Sequence, residues 1–191
     1  MLLSLAPYLY PAALAIMVIG LAALFWIDLK TGYLPDILVF PLAVLGLLMA
    51  VVGPIGPLTL TDCLAGAALG AGLMALFRTV ATRILHREAM GLGDVKFMGM
   101  AGLWVGWQGL NAILVGGVVM SFLIGLFRHL VMHRSLKGFG RGVEIPLGPG
   151  LCVALLTLVV LNWYGIQIGP GFVPMAPSLS VPEFSVLFKN L

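Results

Sequence analysis

Charge is what this 191-residue chain most lacks: 9% of its residues are Asp, Glu, Lys or Arg, against about a quarter in soluble domains. With 61% hydrophobic residues and a mean hydropathy of +1.15, it carries more apolar surface than a water-soluble core of this length has use for. A soluble globular protein is excluded, and an integral membrane protein is expected. Cysteine is nearly as scarce. Cys63 and Cys152 stand far apart, each inside an apolar run, which excludes both CxxC zinc spacing and a disulfide framework. They read as small buried hydrophobes. Met1 to Gly20 has no basic residue, and its apolar stretch is too long for the core of a cleavable signal peptide, so a retained helix is expected there.

Long apolar runs dominate the rest. Breaking the chain at charges, Gly and Pro leaves segments near 8–27, 37–52, 61–80, 95–107, 110–131 and 147–165. Since a membrane helix needs roughly 20 apolar residues, this predicts an all-α polytopic membrane protein with about six transmembrane helices. The fourth is short, as suits a helix that begins below the surface. Residues 1–165 form one domain on this reading. The tail 166–191, with Pro170, Pro174, Pro177 and Pro182, is a Pro-rich extension whose prolines oppose a helix. Gly66-x-x-x-Gly70 and Gly102-x-x-x-Gly106 have the small-residue spacing that lets membrane helices approach closely, and packing within the monomer is the expected use.

The formal charge of +3 is less informative than where the charges lie. With the N-terminus outside, Lys30, Arg78, Arg83, Arg87, Lys96, Arg128, Arg134, Lys137 and Arg141 all fall at cytoplasmic ends, and Lys189 alone lies outside. These charges report orientation; membrane lipid is the expected anionic neighbour, and no nucleic-acid partner is expected. Three cytoplasmic connections, 28–36, 81–94 and 132–146, then carry nearly every polar group.

Two acids stand out on that side. Asp28 ends the first helix, and Asp94 follows Gly91-Leu92-Gly93 directly before an apolar segment. Charges at membrane depth are costly, which makes such acids functional candidates. Two carboxylates held together share a proton, so that one can act as general base on water while the other acts as general acid. Gly91 and Gly93 can adopt positive φ and leave room for another backbone near the carboxylate. The plainer reading of Asp94 is a helix N-cap. Asp36, after Pro35, opens the second helix, where the dipole favours an acid, and reads as a cap. Asp62 reads as a cap of the third. Glu88 and Lys96 either pair with each other or position a substrate. Glu144, before Pro146, is an ordinary polar residue at a helix start. His129 and His133 share a helix face but lack a third ligand, so no metal is expected and membrane-surface contact is the default.

Three blocks, in this order, carry a resemblance: Asp28 with Leu34-Pro35-Asp36, then Glu88-x-Met90-Gly91-x-Gly93-Asp94-x-Lys96, then Glu144-Ile145-Pro146-Leu147-Gly148-Pro149. Together they resemble the catalytic portion of the type IV prepilin peptidases, membrane aspartic proteases, over about residues 20 to 160. The resemblance implies Asp28 and Asp94 as the catalytic pair, with Gly91, Gly93, Lys96, Glu88, Pro35 and Asp36 in the active-site loop or positioning substrate. It implies removal of a short basic leader from prepilins or pseudopilins, after a glycine and at the cytoplasmic face of a bacterial inner membrane, serving a type IV pilus or type II secretion. Proteolysis of this kind needs no cofactor. Full-length bifunctional members carry a cytoplasmic N-terminal domain, usually with paired CxxC motifs, which this sequence lacks; S-adenosylmethionine is required only if methylation of the new N-terminus is retained. Rival readings are an intramembrane protease of the presenilin type, which shares Gly-x-Gly-Asp, and a small ion-coupled transporter.

Overall fold

Helices form wherever the apolar segments run. In the computed structural model, which describes residues 2–52, 58–86, 90–133 and 147–163, six α-helices follow one another and no strand occurs among the described residues. They are α1 (Leu2–Thr31), α2 (Asp36–Val52), α3 (Leu60–Leu85), α4 (Leu92–Val105), α5 (Leu110–His133) and α6 (Leu147–Trp163). Each expected segment holds a helix. α1 and α3 outrun expectation because hydropathy falls at Asp28 and Arg78, whereas backbone hydrogen bonding continues past a charged side chain. The expected extension 166–191, Glu88, and the Glu144 to Pro146 part of the third block lie outside the described residues.

The helix ends have local causes. α1 stops at Gly32, which takes φ +65° while its N–H donates to the Asp28 carbonyl at 2.8 Å. Pro35 then forces extended backbone before α2. α3 begins with a capping box in which Thr59 and Asp62 bond each other's backbone N–H groups, the capping role expected of Asp62. α4 ends at Gly106, φ +66°, whose N–H returns to the Gly102 carbonyl at 2.9 Å.

Among the described residues, three helices are long and apolar enough to cross a membrane, over Pro11–Thr31, Leu60–Ile84 and Leu110–Val131; Asp36–Val51 and Leu147–Leu161 are shorter apolar helices. Outward-facing side chains such as Ile37, Phe77, Val115 and Phe127 are themselves apolar, as they are where the solvent is lipid.

Small residues set the closest contacts. A Cβ on Gly66 would stand 2.5 Å from the Gly102 carbonyl oxygen and 2.6 Å from the Gly106 carbonyl carbon, and one on Gly70 would stand 2.6 Å from the Met98 carbonyl oxygen. The two glycine spacings therefore face each other across α3 and α4, the within-chain use expected of them. α5 and α6 pair in the same way, Gly117 against Leu151 and Gly150 against Ser121. Between α2 and α4, the Trp104 indole N–H donates to the Leu42 carbonyl at 3.0 Å, and Gly46 leaves the space for the ring. Phe97, Leu151, Leu155, Ile113 and Leu24 are fully buried, so α4 and α6 supply the middle of the core.

Candidate active site

Helical spacing explains why an acid is buried at the end of α1. Ala13, Met17, Leu21 and Leu24 form its buried stripe, and the next position on that face is Asp28, itself 5% exposed. The carboxyl group thus continues a hydrophobic seam. Asp94 lies likewise on α4, in register with Met98, Ala101 and Val105, all buried. The seams converge at one end of the bundle, where Asp28 lies close enough to Asp94 for its charge to act on it.

α6 brings a third seam to the same place. Gly148, Cys152, Leu155 and Val159 follow one another along its buried face. A Cβ on Gly148 would run into the Asp28 carboxyl group, so the first turn of α6 lies directly against that acid. One turn on, the Cys152 thiol is within electrostatic reach of both Asp28 and Asp94. Both cysteines are free and buried, as read from the sequence. Ser121 of α5 donates to the Leu147 carbonyl at 2.9 Å and fixes where α6 starts.

Asp94 occupies the first turn of α4, and the N-cap is Gly91, so the N-cap reading of Asp94 does not hold. Nor do the loop glycines take positive φ as expected. Gly91 has φ −68°, and among the described residues only Gly32, Gly106 and His86 have φ in the left-handed region. Gly91 is exposed, and among the described residues a Cβ there would make only ordinary van der Waals contact, with the Gly93 nitrogen at 3.8 Å and Asp94 Oδ2 at 3.9 Å. The need at Gly93 is steric: a Cβ there would stand 2.9 Å from the Cβ of Leu34. The room it leaves is filled by this chain's own Leu34, 3% exposed, in the connection between α1 and α2.

The remaining candidates sort by partner. Lys96 pairs with Asp36, Nζ to Oδ2 at 2.6 Å, and also lies over the Phe40 ring at 5.8 Å. Asp36, read from sequence as a cap, is the first residue of α2 and sends its carboxylate to Lys96, a pairing the sequence reading missed. Pro35 sets up that start, its carbonyl accepting from the N–H groups of Leu38 and Val39. Arg78 of α3 donates its Nε–H to the Met90 carbonyl at 2.9 Å and so holds the loop just ahead of Gly91. From sequence Arg78 counted only as a topological charge. Leu34 and Gly148 were quoted within motif blocks but given no role, and the i, i+4 spacing from Leu24 to Asp28 was the available signal of a buried acid.

The Type IV leader peptidase family matches residues 15–131, more than half of the chain and a span that includes Asp28, Asp36, Asp94 and Lys96. The chain belongs to the Type IV leader peptidase family. Among similar proteins, a prepilin leader peptidase/N-methyltransferase of Pseudomonas aeruginosa is 36% identical over 165 residues, 86% of this chain and 53% of the relative. One of Stutzerimonas stutzeri is 34% identical over 164 residues, and one of Escherichia coli K12 is 31% identical over 137 residues, 72% of this chain and 58% of the relative. The chain thus spans about half the length of the curated relatives it matches. No solved structure matches it.

Proposed function

We propose that this member of the leader peptidase family is a membrane aspartic endopeptidase that cuts the short basic leader from prepilins or pseudopilins. The observation that carries the reading is the convergence of Asp28 and Asp94, each at the end of a buried helical seam, in a family whose relatives are named for leader cleavage. An acid placed on a core face has an energetic cost that packing alone does not explain.

In the proposed reaction the two carboxylates hold one proton between them. The ionised one takes a proton from water as the water oxygen attacks the scissile carbonyl carbon, and the protonated one gives its proton toward the carbonyl oxygen. Collapse of the resulting diol re-forms the carbonyl as the C–N bond breaks, one hydroxyl proton returning to the second carboxylate while the proton on the first passes to the leaving amine, so that the pair again holds one proton. Substrate lies along the exposed Gly91. S-adenosylmethionine enters only if the chain also methylates the new N-terminus, and no proteolytic step involves it.

All six helices lie in the bilayer on this reading, with both termini outside and the acids at the cytoplasmic face of a bacterial inner membrane. The distribution of Lys and Arg supports that orientation. The test is mass spectrometry of a prepilin incubated with the purified protein in detergent, beside Asp28→Asn, Asp94→Asn and Asp36→Asn variants. Loss of the leader after its glycine, abolished by the first two changes and retained by the third, is expected. An intact substrate with the wild-type chain rejects the reading.

A further inference from the structure

We propose that Leu34 is a positioning residue of the acid pair, a wedge whose side chain sets how Asp28 and Asp94 stand relative to each other. Its neighbours in the connection, Gly32 and Tyr33, are exposed, yet Leu34 is 3% exposed. It points between the two glycines that border the acids. A Cβ on Gly93, the residue before Asp94, would stand 2.9 Å from the Leu34 Cβ and 3.5 Å from its Cδ1. A Cβ on Gly148, whose backbone lies against the Asp28 carboxyl group, would stand 3.2 Å from the same Cδ1. One side chain therefore packs on the backbone beside both acids. Its own backbone is constrained by Pro35 behind it and by the Asp36–Lys96 ion pair beyond.

Packed interiors resist compression, and a deleted side chain leaves a void into which neighbours only partly relax. Here those neighbours carry the two reacting groups. A displacement of about 1 Å at a reacting group costs roughly a hundredfold in rate.

The inference rests on the peptidase reading, and its test separates the two. With wild-type chain and a prepilin in detergent, absence of cleavage rejects the peptidase reading and this inference with it. Given cleavage, Leu34→Ala is expected to lower kcat between about tenfold and a hundredfold with KM within about twofold. Leu34→Met, similar in volume, is expected to restore most of it. Leu158→Ala is the control: Leu158 is 4% exposed and lies about 15 Å along α6 from Gly148. It should lower the melting temperature and leave kcat unchanged when assayed below it. If Leu34→Ala does not fold, Leu34→Val carries the same test with a smaller loss. Wild-type kcat in the Leu34 variants, or an equal kcat loss in Leu158→Ala, overturns the proposal.

Discussion

Lys96 Nζ stands 2.6 Å from Asp36 Oδ2, an ion pair that ties the start of α2 to the second turn of α4, on the helix that carries Asp94. Both side chains are more than a third exposed, at 38% and 40%, so water screens the pair and its contribution to stability is about 0.2 to 1 kcal/mol. Asp36→Asn and Lys96→Met are each expected to lower the melting temperature by no more than a few degrees. The double variant should be no worse than the more damaging single change, because both remove the same contact. Cleavage slows severalfold and persists. A loss of cleavage as complete as that of Asp94→Asn would show that one of the pair takes part in the chemistry.

The crossing of α3 and α4 gives a sharper contrast among glycines. A methyl group on Gly66 or Gly102 meets backbone of the facing helix, which no rotamer change relieves, whereas a Cβ on Gly72 meets nothing within 4 Å. Overpacking of this kind costs typically 1 to 3 kcal/mol. Gly66→Ala and Gly102→Ala should therefore melt early and lose cleavage, since Asp94 rides on the displaced helix. Gly72→Ala should match the wild type in both, or gain slightly from its better helix propensity. Equal melting of all three would remove the close crossing.

These contrasts show what the sequence does and does not disclose. Six apolar runs disclosed six helices because the hydrophobic pattern acts locally, and the glycine spacings pointed to close packing within the monomer without saying which helices cross. The acids of the site were legible through their motif context. Their neighbours were not: Lys96 meets Asp36 across 60 positions of sequence, and Leu34, given no role in the 28–36 connection, meets Gly93 and Gly148. Such contacts depend on how helices stack, which no local spacing encodes. The glycines beside Asp94 were misread for a related reason, since a requirement for close approach and one for positive φ leave the same residue in the sequence.

At the opposite end of α3, Asp62 accepts from Thr59 N at 3.0 Å and from Thr59 Oγ1 at 2.6 Å through Oδ2, and from Trp107 Nε1 at 3.1 Å and Gln108 Nε2 at 3.3 Å through Oδ1. This acid closes a structural staple between α3 and the turn after α4. Thr59→Ala removes the cap and is expected to cost about 1 kcal/mol, read as a lower melting temperature. Asp62→Asn should do at least as much damage, because its one amide oxygen replaces only one of two accepting carboxylate oxygens and its NH2 then faces donors. Neither change should alter kcat below the melting point. A kcat loss in either would mean that the end of the bundle at Asp62 is coupled to the acid pair.

Gly91 and Gly93 flank Leu92, the first residue of α4, and have different surroundings, so they make the most discriminating pair of substitutions. Gly93 is filled from outside by Leu34, and an alanine there forces Leu34 or the start of α4 to move. Gly93→Ala should lower both the melting temperature and kcat. Gly91 is exposed with an ordinary negative φ, and among the described residues a Cβ there makes only ordinary van der Waals contact, with Asp94 Oδ2 at 3.9 Å, so alanine is accommodated without strain. Gly91→Ala should leave the melting temperature unchanged. If substrate backbone passes over that exposed position toward Asp94, the added methyl obstructs binding, and KM for a prepilin rises severalfold while kcat falls less. Unchanged KM and kcat in Gly91→Ala would send the substrate elsewhere, most simply to the side of Asp28 that Gly148 does not cover.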